Sequence, residues 1–321
     1  MGRPATMGRK RKGDAVSGWI VLDKPLNLGS TQAVSRVRRA YNAQKAGHAG
    51  TLDPLATGIL PIALGEATKT VPYLVEADKV YRFTLAWGAT TATYDGEGEV
   101  IARSDVRPAP DAAAAALTRF VGEIQQVPPA YSAIKVDGER AYDLAREGIE
   151  VELKARTVII HSAAVVAAPD EGHVEIEIHC GKGTYVRALA RDLALALGAC
   201  GHVSALRRLR VGVFDEARAI TLEKLDDLCH TDRRSEVLLP VETALDDIPV
   251  LAVTAEDAFR LSQGRPIVLL PRQVETLRTR LASPTGQGFA SRTVLATHGG
   301  AAVSICEMRA GQLSPTRVFN L

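Results

Sequence analysis

Strand patterns and helix patterns follow one another irregularly along this chain of 321 residues. The segments "VYRFTLAW" (80–87) and "HVEIEIHC" (173–180) alternate in polarity, as half-buried strands do. Helix periodicity occupies "STQAVSRVRRAY" (30–41) and "TYVRALARDLALALG" (184–198). A doubly wound parallel sheet would need strands and helices in regular alternation. The order therefore predicts an α+β fold, with a mixed, mainly antiparallel sheet flanked by helices.

Two domains and a basic arm are predicted from the way the patterns change along the chain. Residues 16–248 hold most of the helix and strand patterns and form the larger domain. Residues 249–321 carry fresh strand patterns and form a small β-rich domain. Within it, 271–293 is polar and interrupted by Gly and Pro, so we expect a loop insertion there. The N-terminal stretch is basic and lacks periodicity, so we expect residues 1–15 to be a flexible arm.

Several classes of protein are excluded by composition. No apolar run reaches the roughly 20 residues that a membrane-spanning helix needs. The N-terminus lacks the apolar core of a secretory signal. The cysteines contain no C-x-x-C pair and are typical of free thiols in a reducing compartment. We therefore expect a soluble cytoplasmic protein.

The net charge of +2 conceals a strong segregation of charge along the chain. Residues 24–52 contain basic side chains and no acid, and 182–210 contain six basic residues against Asp192 alone. Acidic residues gather instead at 215–247. Such segregation favours a basic face that binds a polyanion. An ordinary solvated helix surface would explain it equally well.

One isolated carboxylate lies in a turn-rich, apolar setting: Asp53, in "HAGTLDPLATGILP" (48–61). Asp before Pro is common in turns, so a local structural role is one interpretation. The other interpretation is that the carboxylate takes part in a reaction. Gly50 and Gly58 would permit close approach of the backbone to a ligand, and Pro54 stiffens the loop. A rigid loop with one carboxylate and a nearby imidazole suits attack on a planar base.

Other chemistries find little support in the sequence. There is no H-E-x-x-H and no clustered Cys/His spacing of the kind that binds catalytic metals. "CGKGTY" (180–185) lacks the residues of a phosphate loop, and no G-x-G-x-x-G opens a helix after a strand. No G-x-S-x-G elbow is present either.

The segment "KAGHAGTLDPLATGILPIALGEATK" (45–69) closely resembles the catalytic motif of the TruB family, the bacterial tRNA pseudouridine-55 synthases. Four further blocks resemble that family in the same order. They are "GWIVLDKP", "KVYRF", "PPAYSAIKVDGERAYDLAREG" and "CGKGTYVRALARDLALALG", the last followed by "LRRLRVG". "LSQGRPI" and the terminal strands resemble its C-terminal PUA-type RNA-binding domain.

The resemblance implies the pseudouridine synthase fold and the isomerisation of uridine to pseudouridine at position 55 in the T-loop of tRNA. The uracil is flipped out, detached from its sugar, rotated and rejoined through C5. The resemblance implies no metal and no organic cofactor, a tRNA T-stem-loop as partner, and no membrane. We expect a monomer.

Three catalytic residues are implied by the same resemblance. Asp53 resembles the catalytic aspartate, Tyr81 the tyrosine that stacks on the target uracil, and Arg187 the arginine that pairs with the aspartate. The residues alone leave alternatives open. Tyr81 also fits the apolar stripe of its strand, and Arg187 could pair with Asp192 or lie in water.

Substrate-binding roles are implied for five further residues. His48 resembles the histidine beside the catalytic loop, and Leu206 a leucine that lines the pocket. Tyr185 lies in the block that also contains the catalytic arginine. Lys24 and Lys69 are candidate phosphate contacts, and ordinary surface charges are the alternative. His48 could equally hydrogen-bond its own turn.

The chain departs from the family at Asn27, where the family usually carries Gly. Asn tolerates a left-handed backbone better than most residues, so we expect the loop shape to survive. Two other functions stay open from the sequence. One is an RNA-binding or tRNA-folding module with secondary catalysis, and the other is a guide-dependent relative that works in a ribonucleoprotein.

Overall fold

The structure, a computed structural model, describes residues 13–132, 134–136, 139–147, 149, 153–281 and 292–321. Its strands run in chain order as follows: β1 (Gly18–Lys24), β2 (Ala46–His48), β3 (Ala56–Leu64), β4 (Lys79–Trp87), β5 (Ala89–Thr91), β6 (Val100–Arg103), β7 (Gly122–Gln126), β8 (Lys135–Val136), β9 (Glu139–Arg140), β10 (Arg156–Asp170), β11 (His173–Cys180), β12 (Gly201–Val211), β13 (Phe214–Asp215), β14 (Val250–Ala252), β15 (Ile267–Val268), β16 (Thr293–His298), β17 (Ala301–Arg309) and β18 (Gln312–Val318).

The helices are α1 (Ser30–Ala40), α2 (Val71–Glu76), α3 (Pro110–Leu117), α4 (Ala141–Arg146), α5 (Val186–Ala196), α6 (Leu222–His230), α7 (Ala255–Ser262) and α8 (Pro271–Leu281). Within the described residues, none of them has the length and apolar character needed to cross a membrane.

A nine-stranded sheet forms the centre of the larger domain. Its strands follow the order β1-β3-β12-β4-β11-β10-β7, with β2 added beside β3 and β13 beside β12. Among its described strands, the β3–β12 pair is parallel and the other pairs are antiparallel. The mixed, mainly antiparallel sheet predicted from the sequence is therefore confirmed.

Helices cover this sheet because their apolar residues recur at helical spacing. In α5, Leu189 and Leu193 are fully buried and pack with Phe83 and Leu85 of β4. In a separate cluster, Val37 of α1 packs with β1, β3 and α6. The two clusters meet at Tyr81 and Leu206, which lie at the border of both. The boundary between two packed regions thus falls on strands β4 and β12.

The small domain is a five-stranded sheet in the order β14-β16-β17-β18-β15. It shares a hydrophobic core with the larger domain, since Ile305 and Phe319 are buried in one cluster with Trp19 and Phe214. The two sheets therefore pack against each other through apolar side chains.

Two expectations about the ends of these domains need correction. The loop predicted for 271–293 was wrong over 271–281, which forms helix α8. Pro at the first position favours a helix start, and buried Leu277 anchors the helix to the small sheet. Residues 282–291 lie outside the described residues.

The flexible arm predicted for 1–15 lies outside the described residues over 1–12, whereas Asp14 forms a backbone bridge with Ala43.

Candidate active site

Asp53 lies in the loop between β2 and β3, and the backbone around it is fixed from two directions. Ser30 at the start of α1 exchanges two hydrogen bonds of 2.8 Å with the backbone of Leu52. The N–H of Asn27 donates to the carbonyl oxygen of Pro54 at 2.8 Å. Asn27 makes this contact at φ 60°, so it adopts the left-handed conformation that was expected of it. The carboxylate is therefore presented by a constrained loop.

Arg187, the second residue of α5, lies against this carboxylate. Its Nη2 is 3.0 Å from Oδ2 of Asp53. The alternative partner, Asp192, is instead 2.8 Å from its neighbour Arg191. The side chain of Arg187 is 9% exposed, whereas that of Asp53 is 43% exposed and faces the pocket. The expected pairing is thus present, and one face of the carboxylate stays open.

A second carboxylate, Asp95, shares the same guanidinium. Its Oδ2 is 3.3 Å from Nη1 of Arg187. Nη1 also donates to the carbonyl oxygen of Thr93, and Nη2 to that of Tyr131. Asp95 is buried and accepts a hydrogen bond from the hydroxyl of Thr93. The guanidinium is therefore held in one orientation by several acceptors, and this orientation sets the position of the Asp53 carboxylate.

A pocket of about 290 Å³ opens in front of Asp53. It is lined by Gly50, Thr51, Leu52, Asp53, Val75, Lys79, Tyr81, Ser132, Arg156, Gly181, Gly183, Thr184, Tyr185, Val186, Arg187, Leu206 and Arg208. All three predicted catalytic residues and two of the five predicted substrate-binding residues therefore line one cavity.

Tyr81 and Leu206 supply an aromatic and an apolar wall. Tyr81 is the residue of the β4 stripe that lies nearest the pocket, where the stripe leaves the core. It is half-buried, whereas Phe83 and Leu85 of the same stripe are buried. Burial raises the pKa of the Tyr81 hydroxyl, so the ring stays neutral at physiological pH. A neutral aromatic face suits stacking on a planar ligand.

Tyr185 forms another part of the pocket lining, directly before α5. Gln126 of β7 fixes its backbone on both sides, since its side chain accepts from the N–H and donates to the carbonyl oxygen of Tyr185. The guanidinium of Arg156 lies 4.7 Å from the centre of the Tyr185 ring. Nε and Nη2 of Arg156 are buried and have no hydrogen-bond partner in the described part of the chain. The stack therefore places a cation with unused donors beside the pocket.

Arg208 was not singled out by the sequence interpretation, yet it holds the first part of the catalytic loop. It is buried in β12 and donates to the carbonyl oxygens of Ile59 at 2.7 Å, Gly50 at 3.1 Å and Thr51 at 3.4 Å. Its backbone packs so closely against Gly58 that a Cβ there would lie 2.2 Å from its carbonyl oxygen. Gly58 thus allows close approach of two strands, not the approach of a ligand that the sequence suggested.

The other three predicted binding residues do not line this pocket. His48 ends β2, and burial lowers its pKa, which keeps the imidazole neutral. Lys24 is buried, and its ammonium donates to the carbonyl oxygens of Leu28 at 2.7 Å and Pro25 at 3.0 Å. Burial lowers its pKa to about 8. Lys24 is therefore placed to hold the segment that contacts the catalytic loop, and is not a surface charge.

Lys69 lies at the contact between the two domains. Its ammonium is 2.6 Å from a carboxylate oxygen of Glu66 and donates to the carbonyl oxygen of Val318 at 2.7 Å. The same Glu66 carboxylate accepts from the backbone N–H of Asn320 at 2.8 Å. These contacts join the last strand to the segment after β3, so the Lys69 charge is engaged within the protein.

Comparison with known sequences decides the family. The family model described as "TruB family pseudouridylate synthase (N terminal domain)" matches residues 38–186. That described as "tRNA pseudouridylate synthase B C-terminal domain" matches residues 187–246. The chain belongs to the TruB family. It is therefore a pseudouridylate synthase, an isomerase, and the family expected from the motif at 45–69 is confirmed.

Full-length relatives support the assignment. A tRNA pseudouridine synthase B of Caulobacter sp. (strain K31) is 67% identical over 315 residues, which cover 98% of this chain and 100% of the relative. The protein of the same name from Bradyrhizobium diazoefficiens is 52% identical over 311 residues, covering 95% of this chain and 86% of the relative.

Solved structures share the fold. A Cbf5–Nop10–Gar1 complex contains a chain with a TM-score of 0.70 at 24% identity, covering 94% of this chain and 85% of that one. An H/ACA RNP bound to a substrate RNA containing 2′-deoxyuridine contains a second similar chain, also with a TM-score of 0.70. It is 21% identical, and the match covers 99% of this chain and 92% of that one. At this identity the likeness establishes the architecture of the TruB chain and no more.

Proposed function

We propose that this TruB-family chain converts uridine to pseudouridine at position 55 in the T-loop of tRNA. The observation that carries the proposal is the constrained Asp53 carboxylate, 3.0 Å from a buried guanidinium and open on its other face to a pocket with an aromatic wall. Relatives that match nearly the whole chain are named tRNA pseudouridine synthase B. T-loop position 55 follows from the resemblance of the motif at 45–69.

The pocket suits one extruded base and not a stacked helix. Its volume of about 290 Å³ lies at the lower end of the range for small-molecule sites. A base inside a folded loop must therefore leave its stack before it reaches Asp53, at a cost of a few kcal/mol. Stacking on an aromatic ring contributes roughly 1–3 kcal/mol per base, so Tyr81 offsets a large part of this cost.

The reaction exchanges one bond to the sugar for another. The bond between N1 of uracil and C1′ of ribose breaks, and a bond between C5 and C1′ forms. The proton on C5 is lost and N1 gains a proton, so the product is an isomer of the substrate. Three routes are open to a carboxylate here: addition to C6, attack at C1′, and removal of the C2′ proton. Each requires Asp53 to be ionised, and the guanidinium of Arg187, 3.0 Å away, balances its negative charge.

Arg187 positions Asp53 and balances its charge. The guanidinium is shared with Asp95 and two carbonyl oxygens, so it cannot follow Asp53 into the pocket. The carboxylate is consequently oriented before the base arrives, and this lowers the entropic cost of reaching the reactive geometry.

Basic side chains offer a surface for the rest of the tRNA. The α1 residues Arg36, Arg38 and Arg39 are exposed, and α1 precedes the catalytic loop in the chain. Exposed arginines bind phosphates largely without regard to sequence and make affinity depend on salt. Selectivity for one uridine then comes from the pocket.

The decisive experiment measures isomerisation of a T-stem-loop transcript by the wild-type enzyme and by a variant with one substitution. Asp53→Asn keeps the size of the side chain and removes its charge, so we expect no measurable isomerisation while binding to the transcript changes less than threefold. Asp192→Asn is the matched control, because Asp192 also pairs with an arginine on α5 but does not line the pocket. Turnover by the Asp53→Asn variant would contradict the proposal.

A second transcript with cytidine at position 55 tests the position. We expect no product at its remaining uridines, and pseudouridine at another site would show that the T-loop assignment is wrong. The alternative function, an RNA-binding or tRNA-folding module, predicts that the Asp53→Asn protein still restores tRNA maturation in cells that lack the wild-type protein.

A further inference from the structure

Two histidines and an aspartate converge on a second site, away from the Asp53–Arg187 pair. Asp78 directly precedes β4, His161 lies in β10 and His179 in β11. One ligand atom from each of the three lies within 4.8 Å of the other two. Their side chains are 24%, 26% and 32% exposed, so the group is partly shielded from water. None of the three has a part in the proposed isomerisation.

A β-bulge lies at this convergence. In the β10–β11 pair, Ile160 is opposite Cys180 and Ser162 is opposite His179, so His161 is the extra residue between them. An extra residue in one strand changes the direction of its side chain. At a bulge two residues of one strand lie opposite one residue of the other, so His161 and Ser162 both lie beside His179. The ring of His161 is 4.7 Å from the ring of His179.

The distances match those between ligands of a tetrahedral metal ion. Zn²⁺ binds imidazole nitrogen and carboxylate oxygen at about 2.0–2.2 Å, so neighbouring ligand atoms of a tetrahedral site lie roughly 3.3–3.6 Å apart. Here Nε2 of His161 is 3.2 Å from Oδ1 of Asp78, and Nε2 of His179 is 3.4 Å from Oδ2. Each histidine thus lies at about this distance from one oxygen of Asp78, and one ligand atom of each of the three residues lies within 4.8 Å of the other two.

One of these nitrogens lacks a hydrogen-bond partner among the described residues. Nε2 of His161 is buried and has no hydrogen-bond partner within the described residues, although Oδ1 of Asp78 is near, because the angles are unsuitable. A buried polar atom without a partner is costly and points to a missing ligand. A cation between the three donors would satisfy it.

Access and local charge permit a cation here. A cavity of about 370 Å³ adjoins the group and is lined by Asp78, His179, Arg210 and Asp247, among others. The carboxylate of Asp247 adds negative charge to it. Arg210 opposes a cation, since one of its Nη atoms is 3.4 Å from Nε2 of His179. Arg210 is exposed, however, and can turn into solvent.

We propose that Asp78, His161 and His179 bind a divalent transition metal ion, Zn²⁺ in particular, with water in the fourth position. Two imidazoles and one carboxylate favour Zn²⁺ over Mg²⁺ or Ca²⁺, which prefer oxygen ligands. The ion joins the start of β4 to the bulge of β10 and the end of β11. It acts on the stability of this corner of the sheet and takes no part in the isomerisation.

Metal binding to the full-length protein tests the proposal directly. After treatment with a chelator, the protein is titrated with Zn²⁺ in competition with a chromophoric chelator. We expect one tight site in the wild type. Loss of an outer-sphere partner already weakens metal binding by 10–100-fold, so loss of a ligand in His161→Gln or His179→Gln should weaken it by roughly 100-fold or more. The matched control is His173→Gln, since His173 also contacts a carboxylate, Asp170, at 2.8 Å.

Two further measurements separate this site from adventitious binding. Co²⁺ at the site should give the intense visible absorption of tetrahedral coordination, lost in both ligand variants. Zn²⁺ should raise the thermal midpoint of the wild type but not of His161→Gln. Binding of equal strength in the His161→Gln and His179→Gln variants, or displacement of Zn²⁺ by an equal concentration of Mg²⁺, would overturn the proposal. So would the absence of any site in the wild type.

Discussion

Replacing Arg208 with Met should disable the enzyme from a position outside the Asp53–Arg187 pair. Arg208 is buried and donates to three carbonyl oxygens, two of which belong to Gly50 and Thr51 in the catalytic loop. Methionine fills much of the same volume but donates nothing. The loop therefore loses its support from β12, while the residues proposed to do the chemistry are unchanged.

The magnitude follows from these contacts. Hydrogen bonds from a charged donor contribute about 1.5–3 kcal/mol each. Two of the three have ordinary lengths, 2.7 Å and 3.1 Å, and the third, at 3.4 Å, is weak. Because methionine keeps apolar contacts, we expect a loss of about 3 kcal/mol in the free energy of unfolding. With an unfolding entropy of about 2.1 cal/mol/K per residue, this lowers the midpoint by roughly 4 °C.

The effect on turnover should exceed the effect on binding. A displacement of about 1 Å at a reacting group costs on the order of 100-fold in rate. We therefore expect kcat to fall by roughly 100-fold, with less than a fivefold change in the Kd for tRNA. The assay is the release of tritium from C5 of uridine-labelled tRNA, since C5 loses its hydrogen when it bonds to the sugar.

Arg207→Met is the matched control, because Arg207 is the neighbouring residue of the same strand. It contacts Asp23 and Glu216, and the pocket lining does not include it. These partners are partly exposed, so we expect a loss of about 1 kcal/mol in the free energy of unfolding, and near-normal turnover. Equal turnover by the two variants would refute the idea that Arg208 positions the loop.

Three further changes have distinct expected outcomes. Asp95→Asn should lower kcat by roughly 10–100-fold with RNA affinity retained, because Arg187 loses one of its two carboxylate partners; normal single-turnover rates would show that this contact is dispensable. Lys24 has a folded-state pKa of about 8, against 10.5 when unfolded, so the unfolded state binds more protons between these values. In urea titrations, the free energy of unfolding of the wild type should therefore rise relative to that of Lys24→Met between pH 8 and pH 10. If the difference between the two proteins did not change with pH, the lowered pKa would be contradicted. Lys69→Met should increase proteolysis of the C-terminal strand while the Kd for tRNA stays within twofold; a tenfold weaker Kd would instead favour the phosphate contact suggested by the sequence.

Regular elements of the fold could be predicted because their patterns are local. The alternation of "HVEIEIHC" matches β11, in which Val174, Ile176, Ile178 and Cys180 are buried. Helix α8 was missed because its polar residues and Pro271 resemble a loop. The apolar spacing of Val274, Leu277 and Leu281 was the available signal for a helix.

The candidate site was only partly accessible to the sequence. Residue types left Arg187 free to pair with Asp192, and only the family resemblance selected Asp53. Asp95 could not be found, since it lies 42 positions from Asp53 and reaches Arg187 through the packing of a different loop.

The sequence also did not predict which cationic side chains are buried. Arginine and lysine are normally solvent-exposed, so a sequence pattern places Arg208 and Lys24 at the surface. Both are buried because several carbonyl oxygens converge on each of them. That convergence exists only in the folded chain, and no local pattern encodes it.

The contact of Glu66 with Asn320 and Lys69 fixes the position of the final strand relative to the segment that follows β3. Since Asp53 precedes β3, any nucleic acid that touches both sheets meets two points at a constant separation. The small sheet cannot turn away from this segment without breaking the contacts of Glu66 with Asn320 and of Lys69 with Val318.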